Sequence, residues 1–141
     1  MTMLNKLFIL LIILLSGCRL GDNLEHRYTK EISVPAHVRN SDVCLSLPIQ
    51  SNETVVSAIT YNVGKPSEQI IFPSDKQPEA GLFCILAGEF KFKTDQEYLT
   101  QVEVNVRAEG KNNKSTRKAY VSTFQVVKKG DSFNINQSVH K

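Results

Sequence analysis

Every second residue is apolar along much of this chain. In Tyr98-Leu99-Thr100-Gln101-Val102-Glu103-Val104-Asn105-Val106-Arg107-Ala108-Glu109, one side takes Tyr98, Val102, Val104, Val106 and Ala108. The other takes Gln101, Glu103, Asn105, Arg107 and Glu109. Successive side chains of a strand point to opposite faces, so this period marks a strand with one wet face. Gly110-Lys111-Asn112-Asn113-Lys114 then supplies residues that tolerate positive φ, and Arg117 to Val127 resumes a β-branched and aromatic pattern, which predicts a hairpin. Lys128-Lys129-Gly130-Asp131 reads as a second turn, leading into Ser132 to Gln137. The last third is therefore expected to be a three-strand meander.

The earlier part repeats the pattern. Tyr28 to Val34 alternates and stops at Pro35. Asp42 to Ile49 sets Val43, Leu45, Leu47 and Ile49 on one face and Cys44 on the other. Pro48 has no N–H for a ladder, so this strand is an edge or ends there. Thr54 to Val63, Glu68 to Phe72, Leu82 to Leu86 and Glu89 to Lys93 are further extended segments, with Ser74 to Gly81 a loop. Seven or eight short strands with turn signals between them, in about 115 residues, predict an all-β fold, an antiparallel β-sandwich. Phe92 to Tyr98, followed by Val102, Val104 and Val106, resembles the penultimate strand of fibronectin-type and related immunoglobulin-like domains, where a Tyr opens an alternating strand after a polar corner. The chain has no Trp, and the spacing of Cys44 and Cys84 does not match the antibody pairing. The expectation is an immunoglobulin-like or transthyretin-like sandwich.

The amino-terminal region is of a different kind. Leu7 to Leu15 is an unbroken apolar run of nine residues, where a bilayer-spanning helix needs about 20. A lysine before it and small residues after it make residues 1–17 a signal peptide. Leu15-Ser16-Gly17-Cys18 resembles the bacterial lipobox. That resemblance implies that the Cys18 thiol is acylated and becomes the new N-terminus, and several acyl chains on one residue anchor stably where a single chain does not. The resemblance to Gram-negative lipoproteins further implies that Arg19, rather than Asp, next to that cysteine directs the protein to the periplasmic face of the outer membrane. Residues 18–26 are then the lipidated cysteine and a polar tether, and 27–141 the sandwich domain.

Removing residues 1–17 takes Lys6 away, which lowers the basic count from 17 to 16 against 14 acidic side chains, a net charge of +2. No basic cluster interleaved with aromatics stands out, so a nucleic-acid partner has no support. There are three cysteines. With Cys18 assigned to lipid, Cys44 and Cys84 remain as an even pair, expected to form a disulfide in an oxidising compartment. Two buried thiols or a metal pair are the alternatives, but a metal needs more ligands than two distant cysteines supply. A loop of this length closed by a disulfide is worth roughly 4 kcal/mol in the chain-entropy treatment.

Catalysis has no visible constellation. His26, His37 and His140 fall in the tether, in a turn beside Pro35, and at the penultimate position, none in a motif. Asp22, Glu53, Glu68, Asp75, Glu79 and Asp95 fall mostly in turns, as ordinary solvated carboxylates. Gly64 and Gly81 are isolated, so no phosphate loop is present. The glycosylation-like triplets at Asn52, Asn113 and Asn136 read as surface turns. The expectation is no enzyme, no catalytic residues, no metal, no cofactor and no small-molecule substrate.

Binding fits better. The lipobox, Asp42-Val43-Cys44-Leu45-Ser46-Leu47-Pro48, the strand from Val55 to Tyr61, and Cys84 shortly before Phe90-Lys91-Phe92-Lys93 and Tyr98 resemble a family of enterobacterial periplasmic lipoproteins regarded as immunity proteins of the type VI secretion system. The resemblance implies a protein partner, a toxin encoded nearby, held in a stoichiometric complex, and a membrane contact through lipid on Cys18. It carries no partner-binding residues over to this chain. On exposure alone, Pro66 to Gly81 and Gly110 to Arg117 are candidate partner-contacting loops. A structural lipoprotein of an envelope or secretion complex and a periplasmic lysozyme inhibitor are the alternatives.

Overall fold

The computed structural model describes residues 30–108 and 115–137. The signal peptide, Cys18, His26, the turn at 110–114 and His140 lie outside the described residues. The described residues form nine strands: β1 (Lys30–Ser33), β2 (Ala36–Arg39), β3 (Asp42–Ser46), β4 (Glu53–Asn62), β5 (Gln69–Ile71), β6 (Leu82–Ile85), β7 (Glu97–Val106), β8 (Thr116–Lys129) and β9 (Ser132–Gln137). They form two sheets. The larger has the order β1-β8-β7-β4-β5 with β9 also on β8, and the smaller has the order β2-β3-β6. The all-β sandwich expected from the alternation is what forms. The chain passes back and forth between sheets, as in immunoglobulin-like domains.

One pairing departs from the antiparallel scheme. β1 runs parallel to β8, with Lys30 opposite Lys118 and Ser33 opposite Val121. Val34 N–H still donates to Val121 O (3.0 Å), but Pro35 has no N–H to continue that ladder. The chain therefore leaves β8 there and joins β3, where Pro35 O accepts from Ser46 N–H (3.1 Å). The strand that follows, β2, is absent from the sequence expectation. Four residues carry too little alternation to stand out, and its turn is Asn40-Ser41, both at positive φ (50° and 76°), instead of the Asn-Gly that usually announces such a hairpin. His37 is thus an exposed strand residue opposite Cys44, not a turn residue.

The core between the sheets is built from the inward set of each strand. Leu45, Phe83, Ile85, Tyr98, Val102, Val104, Tyr120 and Phe124 are all fully buried. Tyr98 also fixes a corner. Its hydroxyl accepts from the Lys93 N–H (2.7 Å), the tyrosine-corner bond of immunoglobulin-like sandwiches. Phe92 meets the Tyr98 ring edge-on at 4.8 Å between centroids, and Phe90 does so at 5.8 Å. This corrects the expectation of a strand over Glu89 to Lys93. Its alternation is real and Phe90 and Phe92 pack against the core, but the segment has no ladder because its backbone is spent on the corner.

Cys44 and Cys84 face each other in register between β3 and β6 and form a disulfide. Cys44 is fully buried on the face of the small sheet away from the core. At the irregularity in β4 between Val55 and Ser57, the Gln77 amide takes the place of a neighbouring strand. Its Oε1 accepts from Val55 N–H (3.1 Å) and its Nε2 donates to Val55 O (2.9 Å). A bulged position is thereby satisfied.

Polar groups inside the sandwich are paired across strands. Thr60 and Thr100 lie opposite one another, fully buried, with their hydroxyls 2.7 Å apart. Thr123 Oγ1 is buried without a partner among the described residues. Thr60→Val is expected to cost about 1–3 kcal/mol by stranding the Thr100 hydroxyl, while the Thr60→Val/Thr100→Val pair recovers most of that loss and Thr123→Val is neutral or stabilising. Urea unfolding midpoints of the four proteins check this.

Candidate functional site

Among the described residues, two concavities and one buried ion pair are the candidate sites. The ion pair lies where β4 and β8 begin. Glu53, a solvated turn carboxylate by sequence, instead opens β4 with a side chain only 3% exposed. Its carboxylate is bonded to Lys118 Nζ and accepts from the Tyr120 hydroxyl (3.1 Å) and the Gln50 N–H (3.0 Å). Lys118 also stands over the Tyr120 ring, 5.1 Å from its centroid.

Burial by itself would push the Glu53 carboxyl up; the bonds from Lys118, Gln50 and Tyr120 outweigh it and hold the group below the usual carboxylate range. Burial would likewise push Lys118 down, and Glu53 with Tyr120 more than offsets that, so the ammonium is raised. Both carboxylate oxygens of Glu53 are engaged within the fold. The cluster closes one end of the sandwich and leaves no free base for proton transfer.

The wider concavity, about 410 Å³, is bordered by Arg39, Lys76, Glu79, Cys84 and Leu86. It brings part of the expected partner-contacting loop, Asp75 to Glu79, beside the disulfide. Its central cation is already committed: Lys76 Nζ lies 2.7 Å from Glu89 Oε1 and faces the rings of Phe72 and Phe83 at 5.3 and 5.5 Å. The other half of that loop is also tied down. Glu68 bonds Lys93 and Asn62, and the Lys93 contact lowers the Glu68 carboxyl and raises the Lys93 ammonium.

The second concavity is apolar, about 190 Å³, and lies at the opposite end from Glu53. Val38 of β2, Val126 of β8, Phe133 of β9, and Phe90, Lys91 and Phe92 of the β6–β7 connection wall it. Phe133 is 43% exposed, one of few large apolar side chains so open to solvent. Three separate segments converge there because the β2–β3 turn, the tyrosine corner and the β8–β9 turn all sit at the same end of the two sheets. None of these wall residues was singled out for binding in the sequence, since alternation marks Phe90, Phe92 and Phe133 only as strand residues. Of the three glycosylation-like triplets expected in surface turns, Asn52 does lie in a turn, Asn136 instead lies in β9, and Asn113 falls outside the described residues.

Among the described residues no group of His, Cys, Asp and Glu is placed to hold a metal ion. No helix among them is long and apolar enough to cross a membrane.

A two-sheet, disulfide-pinned, sandwich-like all-β domain with an apolar concavity at one end is the class that fold and site define. The chain belongs to the family described as a domain of unknown function (DUF7480), which it matches over residues 27–129. No curated protein and no solved structure matches it. The matched span closes with β8, so β9 and Phe133 lie beyond it.

The Glu53 cluster carries a pH dependence. A carboxyl depressed by folding contributes stability above its unfolded value, near 4.5, and that contribution is lost as pH falls through the lower folded value. Lys118, raised by folding, contributes below its unfolded value of 10.5 and loses this as pH rises past it. Glu53→Gln is therefore expected to be less stable than the parent by about 1–3 kcal/mol at neutral pH. The gap should narrow below pH 4.5, as read from thermal midpoints across a pH series.

Proposed function

We propose that this protein is a lipid-anchored immunity protein on the periplasmic face of the outer membrane, which neutralises a type VI secretion toxin by forming a stoichiometric complex with it. The observation that carries the reading is the Cys44–Cys84 disulfide. A cross-link between two strands of the small sheet suits a domain that folds in an oxidising compartment, where a signal peptide and lipobox would deliver it. The disulfide also uses both remaining cysteines and so leaves Cys18 for lipid. A rigid sandwich whose buried ion pair is engaged internally, and which carries an apolar concavity at one end, supports binding rather than turnover. Neutralisation then follows from occupying the toxin's active site or blocking its access to envelope substrate.

Two measurements test this. The full chain, expressed with the product of the gene beside its own, is expected to co-purify with that product in a one-to-one complex and to relieve its toxicity. Failure to form that complex overturns the immunity reading. Cys18→Ala is expected to shift the protein from the membrane fraction to the soluble periplasmic fraction, and retention in the membrane would refute the lipid anchor.

A further inference from the structure

We infer that the apolar groove between Val38, Phe90, Phe92, Val126 and Phe133 is a docking site for a partner protein segment that presents one large apolar side chain beside a carboxylate. The inference rests on the reading of this chain as a partner-binding protein, and it assigns the surface and the chemistry of recognition.

Size and lining define the apolar half of the ligand. A concavity of about 190 Å³ has room for one aromatic or large aliphatic side chain, the kind of anchor that dominates protein interfaces. Phe133, 43% exposed at its rim, gains most by being covered. Burying exposed apolar surface is favourable, and this ring stands in β9 two residues after the β8–β9 turn, whose first residue, Gly130, has a φ of 65°.

Charge defines the other half. Lys91 lines the groove itself. Lys128 stands directly opposite Phe133 in the β8–β9 ladder and is two residues on from Val126, so it shares the face that carries the groove. Both lysines are exposed and neither forms an ion pair among the described residues. Of the acids around the groove, Asp42 of β3 accepts from Ala87 N–H (2.9 Å), and Asp131 of the β8–β9 turn forms no ion pair with either lysine among the described residues. An apolar pocket flanked by two uncommitted cations selects an apolar side chain with an acidic neighbour. Basic segments would be repelled.

Position agrees with this role. β1 enters the sandwich at Lys30, opposite Lys118, whereas the groove lies at the other end of β8, against Val126. A chain anchored through its N-terminus would turn the groove away from its point of attachment. Concavity also favours a protruding side chain over a flat lipid surface.

The test uses no toxin, so it separates this inference from the immunity reading. A phage-displayed library of random peptides is selected on the full chain purified in detergent. The expected consensus is Trp, Phe or Leu within two positions of Asp or Glu. Ala87→Trp, which fills the groove from an exposed position on its rim, is expected to weaken the selected peptides about tenfold or more. The Lys91→Glu/Lys128→Glu pair should do the same and remove the salt dependence, whereas Lys30→Glu, at the far end of the sandwich, should leave binding unchanged. Unaltered thermal midpoints show which variants remain folded, and the lysine pair decides the matter if Ala87→Trp does not.

Three results would overturn the inference. They are no enrichment, a consensus without carboxylates, or groove variants that keep peptide binding yet lose binding to phosphatidylglycerol vesicles. Peptide docking without capture of the neighbouring gene product would sink the immunity reading alone.

Discussion

The long strand β8 is the constraint from which the rest of the domain follows. It has 14 residues, which at about 3.3 Å each reach further than any other strand here. One edge is taken by β7 over ten positions, from Glu97 opposite Gln125 to Val106 opposite Thr116. The other edge is shared end to end: β1 occupies Lys118 to Val121, and β9 occupies Phe124 to Lys129. The incoming chain must vacate that edge before β9 can use it, and Pro35 comes where the change is needed. Gln137 closes the seam. Its Oε1 accepts from Ala36 N–H (2.8 Å), and its Nε2 donates to Ser122 Oγ (3.0 Å) and Thr123 O (2.8 Å). One strand thus joins the entry point of the domain to the turn that leads into β9 and Phe133.

Much of this arrangement is legible in the sequence, for a physical reason. A strand buried on one side must alternate, so β4, β7 and β8 announce themselves through Ala58, Val102, Val104, Tyr120 and Phe124. Alternation reports which side chains are buried; it does not report where the backbone bonds go. Phe90 and Phe92 alternate as strand residues do, yet Lys93 N–H goes to the Tyr98 hydroxyl and no ladder forms. β2 is hidden for the opposite reason. Its ladder is regular, but only Ala36 and Val38 carry its inward pattern. The parallel pairing of β1 with β8 has no local signature, since the partners lie almost ninety positions apart.

The candidate site was less legible than the fold. Parity of the cysteines pointed to a bond between Cys44 and Cys84, and the register of β3 against β6 places them opposite one another. Nothing in the spacing indicated that Glu53 is enclosed, because Lys118 and Tyr120 reach it from a strand more than sixty positions on. The loop from Pro66 to Gly81 was attractive on exposure alone. In the folded protein Gln77 completes the β4 edge, Lys76 is held by Glu89, and Glu68 by Lys93. Loops that are rich in polar residues look available in a sequence; whether they are depends on contacts made across tens of residues.

What that difference means for recognition can be argued from entropy. A mobile loop that orders on binding costs about 0.5–1.5 kcal/mol for each side chain immobilised. The walls of the apolar groove bear little of that cost. Phe90 and Phe92 are wedged against Tyr98, Val126 is 3% exposed in the middle of a paired strand, and Val38 sits in a ladder backed by the disulfide-linked pair of β3 and β6. Phe133 and the two lysines are the parts left to adjust. A groove so held is preformed on three sides and adaptable on one, which lets a small interface gain affinity from its apolar anchor and discrimination from its charges. The same Tyr98, Cys44 and Cys84 that stabilise the sandwich therefore also prepare the surface on which a partner would be recognised.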